Sequence, residues 1–586
     1  MSDAEFLSEK SFEGIAVAPG IAHGPLYVHH SVDEEPACVQ LTAEEIPNEV
    51  QRFEAALIAT RAEIIDMQQR IAQAIGAKDA SIFDAHLLVV EDRTLIDEVL
   101  RKLEAEKQNV EFIFLTVANR YSDTLSQIDD PYLRERAYDI HDVTRRVIRN
   151  LMGKSGVPLS SVRYKHILAA QNLTPSDTAL LNPEFVLGFA TEGGSKTSHT
   201  AIMARSLNIP AVAGLDGFMG SLRDVQTILI DGYQGCVVLN PSAATLEKFG
   251  HIEDEKERVE ERLNELRETL STTIDGRRIV LSANIERTLD LPTVQESGSE
   301  GIGLYRTEFL YLNRTDYPNE EEQFEAYRTV AEATLPHSVI IRTIDLGGDK
   351  WVGNERKEPN PFLGCRAIRL CFQHVDVFKT QLRAILRASA SGNVRLMYPM
   401  ISSLEELRKA NGILAECKDE LRSEGRAFSE KLEVGVMIEI PSAAVCADLL
   451  AREVDFFSIG TNDLIQYTVA VDRVNEQIAH LYQPTHPAVL RLIKMVVSAA
   501  HSSGIWVGVC GEMAGDVILT PLLLGLGIDE LSASAPSVPR IKRAVQSLSQ
   551  IDCERLVEKV MTYDTAEAIL EDIEAHAREH YEELLS

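Results

Sequence analysis

The 586-residue chain is short of basic residues: 58 Lys and Arg stand against 90 Asp and Glu, a formal charge of −32. That deficit argues against nucleic acid or an anionic membrane as a partner and favours a protein with a basic face. No apolar run approaches the ~20 residues of a membrane-spanning helix, so no membrane insertion is expected. The opening MSDAEFLSEKSFEGIAVAPG has neither the basic nor the apolar region of a signal peptide. Eight cysteines occur without a CxxC pair or a regular framework, which excludes a disulfide scaffold and points to a reducing cytoplasm. Hydrophobic residues make up 45% and charged residues 25%, as in soluble globular proteins, and the length demands several domains.

What is present falls into three blocks. From about Leu41 to Leu151, apolar residues recur at three- and four-residue spacing in NEVQRFEAALIATRAEIIDMQQRIAQAI and AYDIHDVTRRVIRNLMG. That spacing predicts amphipathic helices, with Asp129-Asp130-Pro131 as a break between two of them. The flanks, FEGIAVAPGIAHGPLYV and HILAAQNLTPSDTALLN through GCVVLN, read as short strands, turns and helices. An α/β domain over 1–35 and 152–240, interrupted by a helical insertion over 36–151, is therefore expected. Residues 241–273 contain LEKFGHIEDEKERVEERLNELRETL, which predicts an exposed linker helix.

From 274 to 586 the chain becomes regular. Apolar or β-branched runs recur in RRIVLSANIE, GIGLYRTEFL, SVIIRTIDLG, VRLMYPMIS, LEVGVMIEIP, VDFFSIGTND, IWVGVCGEM and IDELSAS, most of them separated by amphipathic helical stretches. This alternation predicts a (β/α)8 TIM barrel. Chemistry in such a barrel sits at the C-terminal ends of the strands, and there the sequence turns polar: Arg306, Arg342, Glu439, Asn462, Asp463 and Cys510. Glu439 and Asp463 end consecutive strands and suit Mg²⁺ shared with a phosphorylated substrate; taken singly, each could equally pair with a nearby arginine. Arg306, Arg342 and Arg473 offer planar donor forks to phosphate and carboxylate oxygens. Cys510 lies between the glycines of GVCGEMAGD at the end of the seventh strand, where a thiol could exchange a proton in the mouth.

A second polar stretch, GGSKTSHTAIMARSLNIPAVAG, runs from Gly193 to Gly214. Helix formers follow His199, so a helix beginning there would aim free backbone N–H groups at an anion carried on the imidazole. A histidine that merely caps a helix end would look the same when taken alone.

The stretch resembles the phosphohistidine signature of phosphoenolpyruvate-using phosphotransferases. GIGLYRTEFLYLNR, RTIDLGGDK, NPFLGCRAIRL, MIEIPSA, SIGTNDLIQYTVAVDR and VCGEMAGD are similar to successive motifs of the phosphoenolpyruvate–protein phosphotransferases, the enzyme I family of the bacterial sugar phosphotransferase system. In the helical block, IFDAHLLVVED and YLRERAYDIHDV resemble that family's carrier-binding domain. The resemblance implies transfer of the phosphoryl group of phosphoenolpyruvate to His199, as a tele-phosphohistidine, and onward to a histidine-containing phosphocarrier protein. It also implies that Arg306, Arg342, Asn462, Asp463 and Arg473 bind phosphoenolpyruvate, that Glu439 and Asp463 hold Mg²⁺, and that Cys510 protonates the enolate of pyruvate. Thr174 would position the histidine, and a homodimer through the barrel is implied as well.

Two departures stand out. GGSKTSH is one residue longer than the GGRTSH form, with Lys196 replacing its arginine, and Asn172 stands where an acid often precedes LTPS. Pyruvate–phosphate dikinases and phosphoenolpyruvate synthases share the histidine and barrel motifs but need an ATP-binding domain. No Gly-rich nucleotide loop occurs in this chain, and a helical insertion fits a protein partner better.

Overall fold

In a computed structural model the chain divides into two units, Met1–Lys256 and Glu257–Ser586. The structure describes residues 9–29, 36–74, 82–126, 131–153, 162–173, 177–178, 181–194, 199–207, 209–223, 225–312, 314, 316–347, 360–475 and 477–585. Among these no helix is long and apolar enough to cross a membrane.

The first unit is built on a mixed sheet of eight strands: β1 Lys10–Glu13, β2 Ile15–Ala18, β3 Ile21–His29, β4 His166–Ala170, β5 Val186–Thr191, β6 Ala211–Ala213, β7 Thr227–Asp231 and β8 Cys236–Leu239. Their order is β1-β8-β7-β3-β4-β5-β6-β2. The centre, β3 to β6, is parallel, and β4, β5 and β6 are buried along nearly their whole length, as in a sheet covered on both faces. Parallel neighbours need a crossover, and the one from β3 to β4 carries the helical block.

That block holds α1 Ile46–Ala74, α2 Ile82–Val90, α3 Arg93–Glu106, α4 Val110–Ser126 and α5 Pro131–Met152. Their apolar stripes meet in a core containing Phe53, Phe83, Val99, Phe114 and Val147. Asp92 caps α3 by accepting the N–H groups of Thr94 and Leu95 at 2.7 and 3.2 Å. Pro131 opens α5, where its missing N–H costs nothing; Asp129 and Asp130 of the expected break lie outside the described residues. Arg52 of α1 ties the bundle together through Glu49, Glu111 and the Leu151 carbonyl.

After β5 comes a short helix, α6 His199–Ser206, and after β8 the charged helix, α7 Ala243–Glu265. Met203 of α6 is buried in the core of the helical block, so the helix that begins with His199 packs against the insertion.

The second unit is a closed barrel of parallel strands: β9 Val280–Ile285, β10 Gly301–Tyr305, β11 Ser338–Arg342, β12 Val394–Tyr398, β13 Glu433–Ile438, β14 Phe456–Ile459, β15 Trp506–Val509 and β16 Glu530–Ser534. Each falls within one of the eight runs read from the sequence, and β16 closes on β9 with Glu530 opposite Val280. Leu304, Ile340, Met397, Met437, Phe456 and Cys510 fill the interior, so the barrel is packed rather than open. Towards its base Phe456 stacks on Trp506, centroids 4.7 Å apart and rings 7° from parallel, with the Arg395 guanidinium 5.1 Å from the Trp506 ring.

Gly435 of β13 faces this stack, and a Cβ there would lie 2.4 Å from two atoms of the Phe456 ring. Held by Trp506, the ring has no room to withdraw. Gly435→Ala is therefore expected to destabilise the barrel by about 1–3 kcal/mol. Gly412 lies in the helix Leu404–Ser423 with nothing within 4 Å of a Cβ, and Gly412→Ala should stabilise by about 0.5–1 kcal/mol. Urea unfolding of the two variants should move their midpoints in opposite directions.

Candidate active site in the barrel mouth

Backbone direction places the polar residues. β11 ends on Arg342 and β15 runs into Cys510, while β13 is followed at once by Glu439. Asp463 does not end a strand, as read from the sequence: β14 stops at Ile459, Gly460 intervenes, and Asp463 lies in the first turn of the helix Thr461–Val469. Gly460 is required there because a Cβ would lie 2.9 Å from Glu439 Oε2.

Glu439 and Asp463 meet as expected, and a third acid joins them. One carboxylate oxygen from each of Asp345, Glu439 and Asp463 lies within 4.8 Å of the others. Arg342 donates to Glu308 at 3.0 Å and lies 3.0 Å from Asp345. Arg366 grips both Asp345 oxygens at 2.9 and 3.0 Å and reaches Asp463 at 3.2 Å. Glu439 is buried, and its Oε1 accepts the Met400 N–H at 2.6 Å. Met400 holds a left-handed backbone, φ 56°, uncommon away from glycine and found where function fixes the chain.

The remaining residues ring this centre. Arg306 pairs with Glu286 at 3.0 Å. Arg473 pairs with Glu512, whose N–H is accepted by Asn462 Oδ1 at 2.9 Å and whose side chain accepts from Asn462 Nδ2 at 3.2 Å. The buried Cys510 thiol lies 3.7 Å from the Ile459 carbonyl and feels the charges of Arg342, Glu439 and Arg306. In the other unit, His199 is the first residue of α6, as expected, and Thr200 donates to the Leu173 carbonyl at 2.8 Å. Thr174 and Lys196 lie outside the described residues. Asn172 sits against the paired glycines, where a Cβ on Gly193 would lie 2.1 Å from its Oδ1.

Three families of PEP-utilising enzymes match in succession: the N-terminal domain over residues 13–136, the mobile domain over 162–235 and the PEP-binding domain over 260–550. A "Phosphoenolpyruvate-protein phosphotransferase" of Priestia megaterium is 44% identical over 568 residues, covering 97% of this chain and 99% of its own. One from Bacillus subtilis (strain 168) is 44% identical over 563 residues, covering 96% and 98%. The chain belongs to the phosphoenolpyruvate-protein phosphotransferase family. The NMR solution structure of Enzyme I (nEIt) aligns with 42% of this chain and 99% of its own at 35% identity, with a TM-score of 0.37.

In this phosphotransferase the acids outnumber the arginines they touch. Glu308, Asp345 and Asp463 pair with Arg342 and Arg366, and Glu439 feels both of those charges. Burial, then the charges of Asp463 and Asp345, push the Glu439 carboxyl well above its usual range. Burial raises Asp463 too, against the pull of Arg366. For Asp345 burial acts in the same direction, but Arg342 and Arg366 outweigh it and hold the carboxyl low. Three converging carboxylate oxygens in a buried, crowded site form a donor set suited to a hard divalent cation, which would relieve their mutual repulsion.

Sequence reading missed Asp345, Arg366, Glu308 and Met400. Asp345 and Arg366 were in view, within RTIDLGGDK and NPFLGCRAIRL, but only the folded chain brings Arg366 across to Asp463.

Two outcomes follow. Arg366→Met leaves Asp345 and Asp463 buried with less compensation and should cost about 3–5 kcal/mol in urea unfolding. A raised Glu439 stabilises the metal-free fold below the unfolded carboxyl pKa and loses that contribution as pH rises through the higher folded value. Stabilisation by a divalent cation should therefore grow as pH rises above the ordinary carboxylate range, and Glu439→Gln should flatten that rise. Melting temperatures with and without Mg²⁺ measure both effects.

Proposed function

We propose that His199 attacks the phosphorus of phosphoenolpyruvate, becomes a tele-phosphohistidine, and passes the phosphoryl group to a histidine-containing phosphocarrier protein. Phosphotransfer from phosphoenolpyruvate to such a carrier is the first step of the sugar phosphotransferase system, and the family membership supports it for this chain. The observation that carries the reading is the barrel mouth itself: converging arginines and acids beside a buried, protonated thiol.

Arg306, Arg342 and Arg473, with Asn462, bind the carboxylate and phosphate of the substrate, exchanging acid partners for substrate oxygens. Glu439 and Asp463, with Asp345 beside them, would hold the divalent metal that PEP-utilising enzymes need, and Mg²⁺ would match their oxygen donors. Bound there, the metal supplies positive charge to the phosphoryl oxygens.

As the imidazole bonds to phosphorus, the bond from phosphorus to the enol oxygen breaks and leaves the enolate of pyruvate. Its methylene carbon then takes the proton of Cys510. Burial pushes that thiol up to about 11, so it carries a proton at neutral pH. Solvent returns a proton to the thiolate once pyruvate has left.

His199 and the mouth belong to different units, so the two half-reactions are separable. The helical insertion, over 36–151, docks the carrier, and the packing of Met203 in its core keeps the start of α6 beside the docking helices. The α/β domain over 1–35 and 152–240 carries the histidine, 241–273 links it to the barrel over 274–586, and two barrels form a cytoplasmic homodimer.

Full-length variants test the division. His199→Ala should accept phosphate from neither phosphoenolpyruvate nor a phosphorylated carrier. Cys510→Ala should slow pyruvate formation by roughly 10²–10⁴-fold, the range of a lost general acid, yet exchange phosphate with the carrier at the normal rate. Labelling that survives His199→Ala, or unchanged pyruvate formation in Cys510→Ala, overturns the assignment.

A further inference from the structure

Far along the chain from these motifs, the helix Ala566–Tyr581 buries Ile569, Ile573, Ala577 and Tyr581, and the Tyr581 hydroxyl donates to the Val517 carbonyl at 3.0 Å. Its other residues include His576, Glu579 and His580. Residues three and four apart share a face of a helix, so this spacing turns three donors to one side. The two imidazole centroids are 4.3 Å apart, and one ligand atom from each of the three side chains lies within 4.8 Å of the others.

Both rings are arranged to offer lone pairs. His580 Nδ1 lies 2.8 Å from the His576 carbonyl, which can only accept, so Nδ1 bears the proton and Nε2 is left as an electron donor. An imidazole anchored through its N–H to a carbonyl is the outer-shell arrangement of metal-bound histidines. His576 Nε2 is buried with no hydrogen-bond partner, a cost that a bond to a cation removes. Nearby charges are already engaged: Arg578 with Glu574 at 2.5 Å, and Asp572 with Lys559 and the Tyr563 hydroxyl, both at 2.6 Å.

We propose that His576, Glu579 and His580 form a binding site for a divalent transition metal, zinc fitting best, separate from the acid cluster of the barrel mouth. Two imidazoles and one carboxylate, with water in the fourth position, is a zinc donor set, whereas Mg²⁺ prefers oxygen alone. Bonds of about 2.0–2.1 Å bring tetrahedral ligand atoms to about 3.4 Å from one another, a closure that the exposed Glu579 can make by rotation. The metal then clips the last turn of the helix and stabilises the folded chain.

The test uses the full-length protein, stripped with a chelator and held in excess Mg²⁺ to fill the oxygen site. Zinc chloride is titrated calorimetrically, and Co²⁺ is then bound in its place for visible absorption. The wild type should bind zinc with a rise in melting temperature and give Co²⁺ bands without intense thiolate charge transfer. His580→Ala and Glu579→Gln should each weaken that binding by at least about 10- to 100-fold, since losing even an outer-shell partner does as much. Glu579 is exposed, so its variant folds whatever the fate of the histidine variant. Equal zinc affinity in the wild type and Glu579→Gln, or cobalt bands dominated by thiolate, overturns the proposal.

Discussion

Crowding of like charge governs the barrel mouth. Three carboxylates, Asp345, Glu439 and Asp463, converge within 4.8 Å, and a fourth, Glu308, shares their arginines. Burial and the neighbouring charges of Asp463 and Asp345 push the carboxyl of Glu439, the most enclosed of the three that converge, well above its usual range. The surrounding backbone bends to this demand. Met400 takes a left-handed conformation that turns its amide onto Glu439, and Gly460 gives up a side chain so that the carboxylate can fit. Such strain persists because the closed barrel beneath over-determines it. Tightly packed Leu304, Ile340, Met397 and Met437 give the loops a floor that does not yield.

The barrel was legible because its eight strands are short, apolar and evenly separated by amphipathic helices, a pattern local in sequence. Polar residues at the strand ends could be read in the same way, which is how Arg306, Arg342, Glu439 and Cys510 came into view. Pairings could not. Nothing in NPFLGCRAIRL says that Arg366 reaches two acids, one of them nearly a hundred residues further on, because that pairing exists only in the folded chain. Asp463 was read as the end of a strand since SIGTND runs on without punctuation. The helix begins one residue after Gly460, and a change of period so close to a strand leaves no signal. The left-handed Met400 was equally invisible, as methionine gives no hint of a positive φ.

In the first unit, the helical insertion was readable from its period and its place between two strand-rich flanks. Its intimacy with α6 was not. Met203 looked like an ordinary apolar residue after His199, but it is buried in the insertion's core and couples the helix behind the histidine to the block. The ion pair of Arg52 with Glu111 likewise joins helices far apart in the chain. Binding energy from a docked carrier would therefore act on a body whose parts are already cross-braced.

The insertion's position between β3 and β4 also bears on how the chain folds. Those strands are parallel neighbours, yet the segment joining them is on the order of a hundred residues long. Closing so large a loop from a random coil is slow and entropically costly. The helices shorten the problem, because their contacts are mostly between successive elements and can form before the strands meet. Once the bundle has collapsed, its two ends are presented close together, and β3 and β4 can zip as if joined by a short turn. The helical block thus serves first as a scaffold for its own sheet.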